Sequence, residues 1–576
     1  MKSQYDLVIR NGTILDGTGG DPVDGDVAIE GGVIRDVGHV AGRGADEVDA
    51  KGCFVTPGFV DIHTHYDGQA TWDSCLAPSS WHGATTVVMG NCGVGFAPCR
   101  AGDRGTLVRL MEGVEDIPGA ALAEGLPWTW QTFPEFLDVL EARPHDVDFA
   151  AMLPHGALRV FAMGDRGVRR ARATAEDIAS MTRVAAEALR AGAIGLSTSR
   201  TVLHRTADGD PTPMFGAART ELVGIADALG RERAGVFQMV SDFREVDLEF
   251  AMLVEIAERT RRPVSFSLAQ NDYVPGQWRE LLRLTEAAAA RRLALRAQVF
   301  TRPIGLVMGL DTTLHPLQGR PSYDGVSKLP RRERWRRLSD PDLRARILSE
   351  AQERAPPFFA MFGERWDRYF PMGDPPDYEP QPDSSILCIA RRRDQDPLAV
   401  VYDALLAGEG SGLLYVPFLN FANGSLDAVH EMMIHPSTVF GLADGGAHVG
   451  TISDASATTT TLTHWGRDRK GARLPLPWLV RFLTRAPAEA VGLLDRGLVA
   501  PGKKADLVVL DLDRCSAARP QIHWDLPAGG RRFLQRAAGY RATIVSGQIT
   551  YRDGVATGAL PGRLVRGQTA EHCGSR

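Results

Sequence analysis

Eight short apolar strand patterns, several separated by helical stretches, lie between turn-rich strand runs at the two chain ends. Together they predict an α/β fold: a (β/α)8 TIM-type barrel with a small β-sandwich domain built from both chain ends. The boundaries fall at 1–56 plus 490–576 for the small domain and 57–489 for the barrel, with an insertion at about 302–435. The composition agrees. The chain has 576 residues, 44% hydrophobic and 24% charged, which excludes disordered and fibrous classes.

The first 50 residues read as strands joined by turns. Tyr5–Arg10 and Thr13–Leu15 flank Asn11-Gly12, a dipeptide typical of hairpins, and Asp26–Glu30 runs through Gly31-Gly32 into Val33–Val37. The same texture returns at Ala505–Asp511 and Ala542–Val545, where Ser546-Gly547 opens a turn before Gln548–Tyr551. The barrel strands are expected at 59–65, 85–91, 148–154, 193–197, 235–241, 263–269, 294–300 and 437–443. One helix between them is marked at both ends. Thr174 and Asp177 form a capping box, Ile178, Met181, Ala185 and Leu189 repeat at helical spacing, and Gly192 stands at the C-cap. The insertion is expected to cap the barrel mouth.

A net charge of −6 leaves no footprint for nucleic acid. No run of 18 apolar residues predicts a membrane span, and the opening residues lack the apolar core of a secretory leader. Seven scattered cysteines fit a reducing cytoplasm better than a disulfide framework.

Three segments carry chemistry. In Pro57-Gly58-Phe59-Val60-Asp61-Ile62-His63-Thr64-His65 the two histidines are two residues apart on a strand. Both imidazoles therefore face the barrel interior and can share one divalent metal. Cys92, in Gly90-Asn91-Cys92-Gly93, ends the next strand, where a metal can take its thiolate. Asp444, at the end of the last strand, can touch a metal and accept a proton from water.

With these residues in view, the chain resembles the amidohydrolase superfamily, in its D-aminoacylase (N-acyl-D-amino-acid deacylase) branch. The resemblance is nearly full length. It rests on the PGFVDIHTH strand, GNCG, AGAIGLSTS at 191–199, Asp444 and the late KADLVVLD segment. It implies a metal, usually zinc, that activates water against an amide carbonyl. It also implies His63, His65, Cys92 and Asp444 as metal ligands, with Asp444 as general base and acid.

The chain also departs from that branch. The family's strand-5 and strand-6 histidines correspond to Gln238 and Leu268. No histidine occurs between His204 and His315, and no lysine between Lys51 and Lys328. The usual binuclear site is thus incomplete, and one Zn2+ per chain is expected. His155, His204, Gln238 and His448 are candidate substrate contacts, with Arg200 and Arg302 as cationic partners for a substrate carboxylate. The expected partner is a small-molecule amide, and self-association stays open. Two alternatives remain: hydrolysis of another amide, carbamate or cyclic amide, and a barrel that has lost hydrolysis and binds a ligand.

Overall fold

The computed structural model describes residues 4–354 and 363–568. Its centre is an eight-stranded parallel sheet, strands β1 (Phe59–Asp61), β2 (Ala84–Met89), β3 (Asp148–Pro154), β4 (Gly195–Arg200), β5 (Val236–Ser241), β6 (Val264–Leu268), β7 (Leu295–Val299) and β8 (Thr438–Phe440), paired in that order. Each falls within or overlaps its expected segment. Strands β2 and β3 are buried along their whole length, as expected where helices cover a parallel sheet.

The barrel closes just beyond the ends of β1 and β8. There the amide of Asp444 donates to the carbonyl of His63 at 3.1 Å, and that of His65 donates to Gly445 at 2.7 Å. Thr64 and Gly445 form the parallel bridge. Two helices matter below: α1 (Arg104–Glu115) and α2 (Ala175–Ala191). Helix α2 has the expected capping box, with Thr174 accepting from the amide of Asp177 and Asp177 reaching back, and Gly192 ends it at φ 113°.

Strands from both chain ends form one continuous nine-stranded sheet. Phe54–Pro57 pairs antiparallel with Leu507–Leu510, which joins the early and late segments. The two-residue period sorts the packing. Leu507 and Val509 enter a core with Leu7, Ile9, Val27 and Ile544, while Val508 and Leu510 face the main barrel cluster. Gly31-Gly32 and Ser546-Gly547 turn their hairpins as expected, all four with positive φ.

Asn11-Gly12 does not. Tyr5–Ile14 is one strand, because Val23–Glu30 is long enough to pair with both halves of it. Asn11, at φ 59°, takes up the register shift as a bulge. A Cβ on Gly12 would run into Val55.

The segment between β7 and β8 folds around its own core of Leu306, Met308, Leu338, Val401, Tyr402 and Leu414. It contains a three-stranded sheet of Ile304–Gly309, Leu413–Leu419 and Phe370–Pro371. It meets the loops at the C-terminal ends of the barrel strands: Val307 donates to the carbonyl of Thr451 and Asn420 to that of Gln270, each at 2.7 Å. Among the described residues, no helix is long and apolar enough to cross a membrane.

Candidate metal centre

The centre is built at the barrel seam. His63 and His65 continue β1 and are fully enclosed, at 0% and 1% exposure. Nδ1 of His63 lies 2.7 Å from Oε1 of Gln298, an inward residue of β7 whose Nε2 donates to Ser265 at 3.2 Å. An amide oxygen only accepts, so His63 carries its proton on Nδ1 and presents a lone pair at Nε2.

That Nε2 lies 3.2 Å from the sulfur of Cys92 and 3.5 Å from Oδ1 of Asp444. Nε2 of His65 is 3.6 Å from the same Oδ1. His63, His65 and Cys92 each offer a donor atom within 4.8 Å of the others. Four donors around a tetrahedral ion, at bond lengths of about 2.0–2.3 Å, stand roughly 3.3–3.7 Å apart. The three separations of 3.2, 3.5 and 3.6 Å lie close to that range.

Local backbone holds the donors in place. Cys92, Asp444 and His448 all have positive φ, at 55°, 46° and 50°, a region that side chains other than glycine occupy sparingly. Gly90 lets the Cys92 turn approach β3, because a Cβ there would collide with the carbonyl of Met152.

Burial sets the protonation states. It lowers His63 to about 4 and His65 to about 3, so both imidazoles are neutral at neutral pH. It raises the Cys92 thiol well above its ordinary value, and the carboxylates of Glu115 and Asp444 add to that. Oδ1 of Asp444 is buried without a hydrogen-bond partner, as are both carboxylate oxygens of Glu115. Carboxyl oxygens so poorly partnered suit a cation.

The other expected residues divide. Gln238 adjoins the cluster, accepting from the amide of Cys92 at 3.4 Å, and its Nε2 is buried without a partner. Leu268 is a core residue. His448 reaches toward the centre, with Nε2 3.8 Å from Oε2 of Glu115. His204 lies 2.9 Å from the Ser199 hydroxyl, and burial lowers it to about 3, with His448, His65 and His63 adding to the shift.

His155 is not brought to the centre. Its two ring nitrogens meet Thr198 at 2.9 Å and Glu221 at 3.0 Å, in a buried network with Arg159. Arg200 is paired with Glu249 at 3.1 Å. Arg302 is buried against Asp454 at 2.8 Å, under the ring of Tyr378. Both guanidinium charges are therefore already balanced within the protein.

Sequence reasoning missed Glu115 and Gln298. A polar residue inside the apolar strand Leu295–Val299 was a usable signal for Gln298. Glu115 ends helix α1, outside the barrel strands, and no spacing marked it.

A (β/α)8 barrel with imidazole, thiol and carboxylate donors converging where β1, β2 and β8 end defines the class, a barrel hydrolase. The chain belongs to the amidohydrolase family, whose pattern matches residues 46–551. It is 27% identical over 585 residues to the N-acyl-D-aspartate deacylase of Alcaligenes xylosoxydans xylosoxydans, covering 98% of this chain and 95% of that one. It is 31% identical over 295 residues to a D-aminoacylase of the same organism, covering 50% and 56%. The N-acyl-D-glutamate deacylase structure from Bordetella bronchiseptica, solved with zinc and a phosphonate inhibitor, shares the fold at a TM-score of 0.64. It is 23% identical, with 98% of this chain and 100% of that one covered. Family and relatives together identify a hydrolase of carbon–nitrogen bonds other than peptide bonds.

Proposed function

We propose that the chain is a D-aminoacylase-like enzyme that hydrolyses N-acyl-D-amino acids with one zinc ion per chain, held by His63, His65, Cys92 and Asp444. The unpaired sulfurs of Cys53, Cys75, Cys92, Cys99, Cys388 and Cys515 agree with a cytoplasmic location. The observation that carries the reading is the position of Asp444. Its unpartnered Oδ1 lies within 3.6 Å of Nε2 of both histidines and at the mouth-facing end of the last strand.

A divalent ion, when bound, supplies Lewis acidity toward the scissile carbonyl and toward the attacking water. Asp444 takes the proton of that water at Oδ1 and returns it to the leaving nitrogen. Gln298 keeps His63 in the tautomer that ligation needs. His204 and His448, neutral and facing the same space, orient the acyl group.

A second reading is supported by the two committed arginines. With Arg200 and Arg302 balanced by Glu249 and Asp454, a neutral amide, carbamate or cyclic amide also suits the site. Assaying N-acyl-D-amino acids beside their carboxamides separates the two readings.

Elemental analysis of protein purified without added metal should give close to one zinc per chain. Asp444→Asn should keep the metal and lower kcat by about 10²–10⁴-fold. Undiminished turnover in that variant, or no ion taken up by the unaltered chain, overturns the proposal.

A further inference from the structure

A recess of about 610 Å³ lies between the insertion and the C-terminal hairpin of Gln521–Leu526 and Gly530–Leu534, and none of its lining residues belongs to the metal centre. That volume is in the range of small-molecule sites. Its lining includes Tyr323, Lys328, Arg334 and Arg531, with Trp524 as an apolar wall.

The hydrogen-bond directions there run one way. The amide of Leu317 donates to Nδ1 of His315 at 3.3 Å, so the neutral ring carries its proton on Nε2. That proton goes to the hydroxyl oxygen of Tyr323 at 2.8 Å. The proton of Tyr323 is therefore left over, on a side chain that is 2% exposed, with no acceptor among the described residues. Burial, with Arg334 and Arg531 nearby, keeps His315 neutral, so the direction does not reverse at neutral pH.

The charged groups follow the same pattern. Arg531 donates only to the hydroxyl of Thr313, at 3.2 Å, and has no carboxylate at ion-pair distance among the described residues. Lys328 has no partner among them, and Nε of Arg334 is buried without an acceptor. The main acceptors of the recess are partly engaged. Asp311 is taken by Arg334 and Arg331, Asp324 accepts from the amide of Gly319 at 3.2 Å, and Thr312 both accepts from and donates to Gly309. Four cations face two carboxylates. A recess in which cations outnumber carboxylates, and in which a buried hydroxyl proton and Arg531 lack anionic partners among the described residues, is complementary to an oxyanion.

We propose that this recess is a second binding site, which takes a small carboxylate- or phosphate-bearing molecule. Tyr323, Lys328 and Arg531 donate to its oxyanion, and Trp524 covers its apolar part.

Equilibrium dialysis of the full chain against labelled phosphate, and separately labelled acetate, at low ionic strength tests this. Saturable binding of either is expected; preference for phosphate or for acetate identifies the source of the oxyanion. Tyr323→Phe, which keeps the ring and removes only the left-over proton, should weaken binding about tenfold. The double variant K328Q/R531Q should abolish it. His63→Ala should leave binding intact, since it disrupts only the metal centre. Absence of saturable binding of both ions, equal affinity in K328Q/R531Q, or loss of binding in His63→Ala overturns the proposal.

Discussion

Oε1 of Glu115 lies 3.1 Å from Nδ1 of His65, on the side of the ring away from Asp444, while Oε2 lies 3.8 Å from Nε2 of His448. One buried carboxylate from the end of α1 thus stands between His65 and His448. Its backbone carbonyl also accepts from Val449, and Asp116 beside it accepts from Gly450 and Thr313. The last turn of α1 fixes the loop that carries His448.

This relationship gives a prediction with two opposite signs. A carboxylate behind a ligating imidazole raises its basicity, so Glu115→Ala should weaken metal affinity by about 10–100-fold. In the metal-free protein, however, the same carboxylate is buried without a hydrogen bond and its pKa is pushed up by that burial. Glu115→Gln should therefore raise the melting temperature of the metal-free protein while still weakening the metal. A residue that only fills space would lower both.

The Gln298–His63 contact predicts the tautomer. Gln298→Leu removes the acceptor at Nδ1, so His63 is no longer held with its lone pair at Nε2. Metal affinity should drop by about 10–100-fold with the fold intact, as read by competition with a chelating dye and by circular dichroism.

His82 sets a pH-dependent difference away from the centre. It is buried between the Thr459 hydroxyl at 2.7 Å and the Gln535 carbonyl at 2.9 Å, and burial lowers it from 6.5 to about 4. Between those values the unfolded chain holds a proton that the folded chain lacks. The contribution of this histidine is therefore full above 6.5 and is lost as pH falls toward 4, by about 3 kcal/mol. The stability gap between the unaltered chain and His82→Gln should shrink by that order from about pH 7.5 to about pH 4.5 in urea melts. A gap independent of pH would contradict the assignment.

Arg496 ties the barrel to the nine-stranded sheet. Its Nη1 meets Asp148 of β3 at 2.7 Å and Thr86 of β2 at 2.9 Å, and Asp506, which precedes the Leu507–Leu510 strand, lies 3.7 Å away. Lys504 completes the cluster, 2.8 Å from Asp148 and 2.6 Å from Asp506. Arg496→Met leaves two buried carboxylates with a single cation, and should cost about 3–5 kcal/mol in denaturant unfolding.

Most of the barrel was legible because each strand is a short apolar run between turn residues, and parallel strands buried on both faces leave that signature. That His63, His65, Cys92 and Asp444 lie close together was legible in part for a related reason, since the strand ends of a barrel point to one place, but their grouping as one ligand set came from the resemblance to the deacylase branch. Glu115 escaped because a helix end has no such fixed address. Arg200, Arg302 and His155 lie on or just beyond barrel strands, but their side chains turn to Glu249, Asp454 and Glu221, and pairing of that kind leaves no local pattern. Asn11-Gly12 shows the same limit in the backbone. The dipeptide supplies a positive φ, and the partner strand decides whether this makes a turn or a bulge.

The seam between β1 and β8 has a consequence for synthesis on the ribosome. His63 and His65 emerge early, but their backbone partners Asp444 and Gly445 follow only after most of the barrel and the whole insertion have been translated. The strand Phe54–Pro57 likewise waits for Leu507–Leu510. Contacts of such sequence separation form late. A nascent chain therefore holds the two imidazoles and the thiol without Asp444, and the donor cluster is complete only after the last barrel strand has left the exit tunnel.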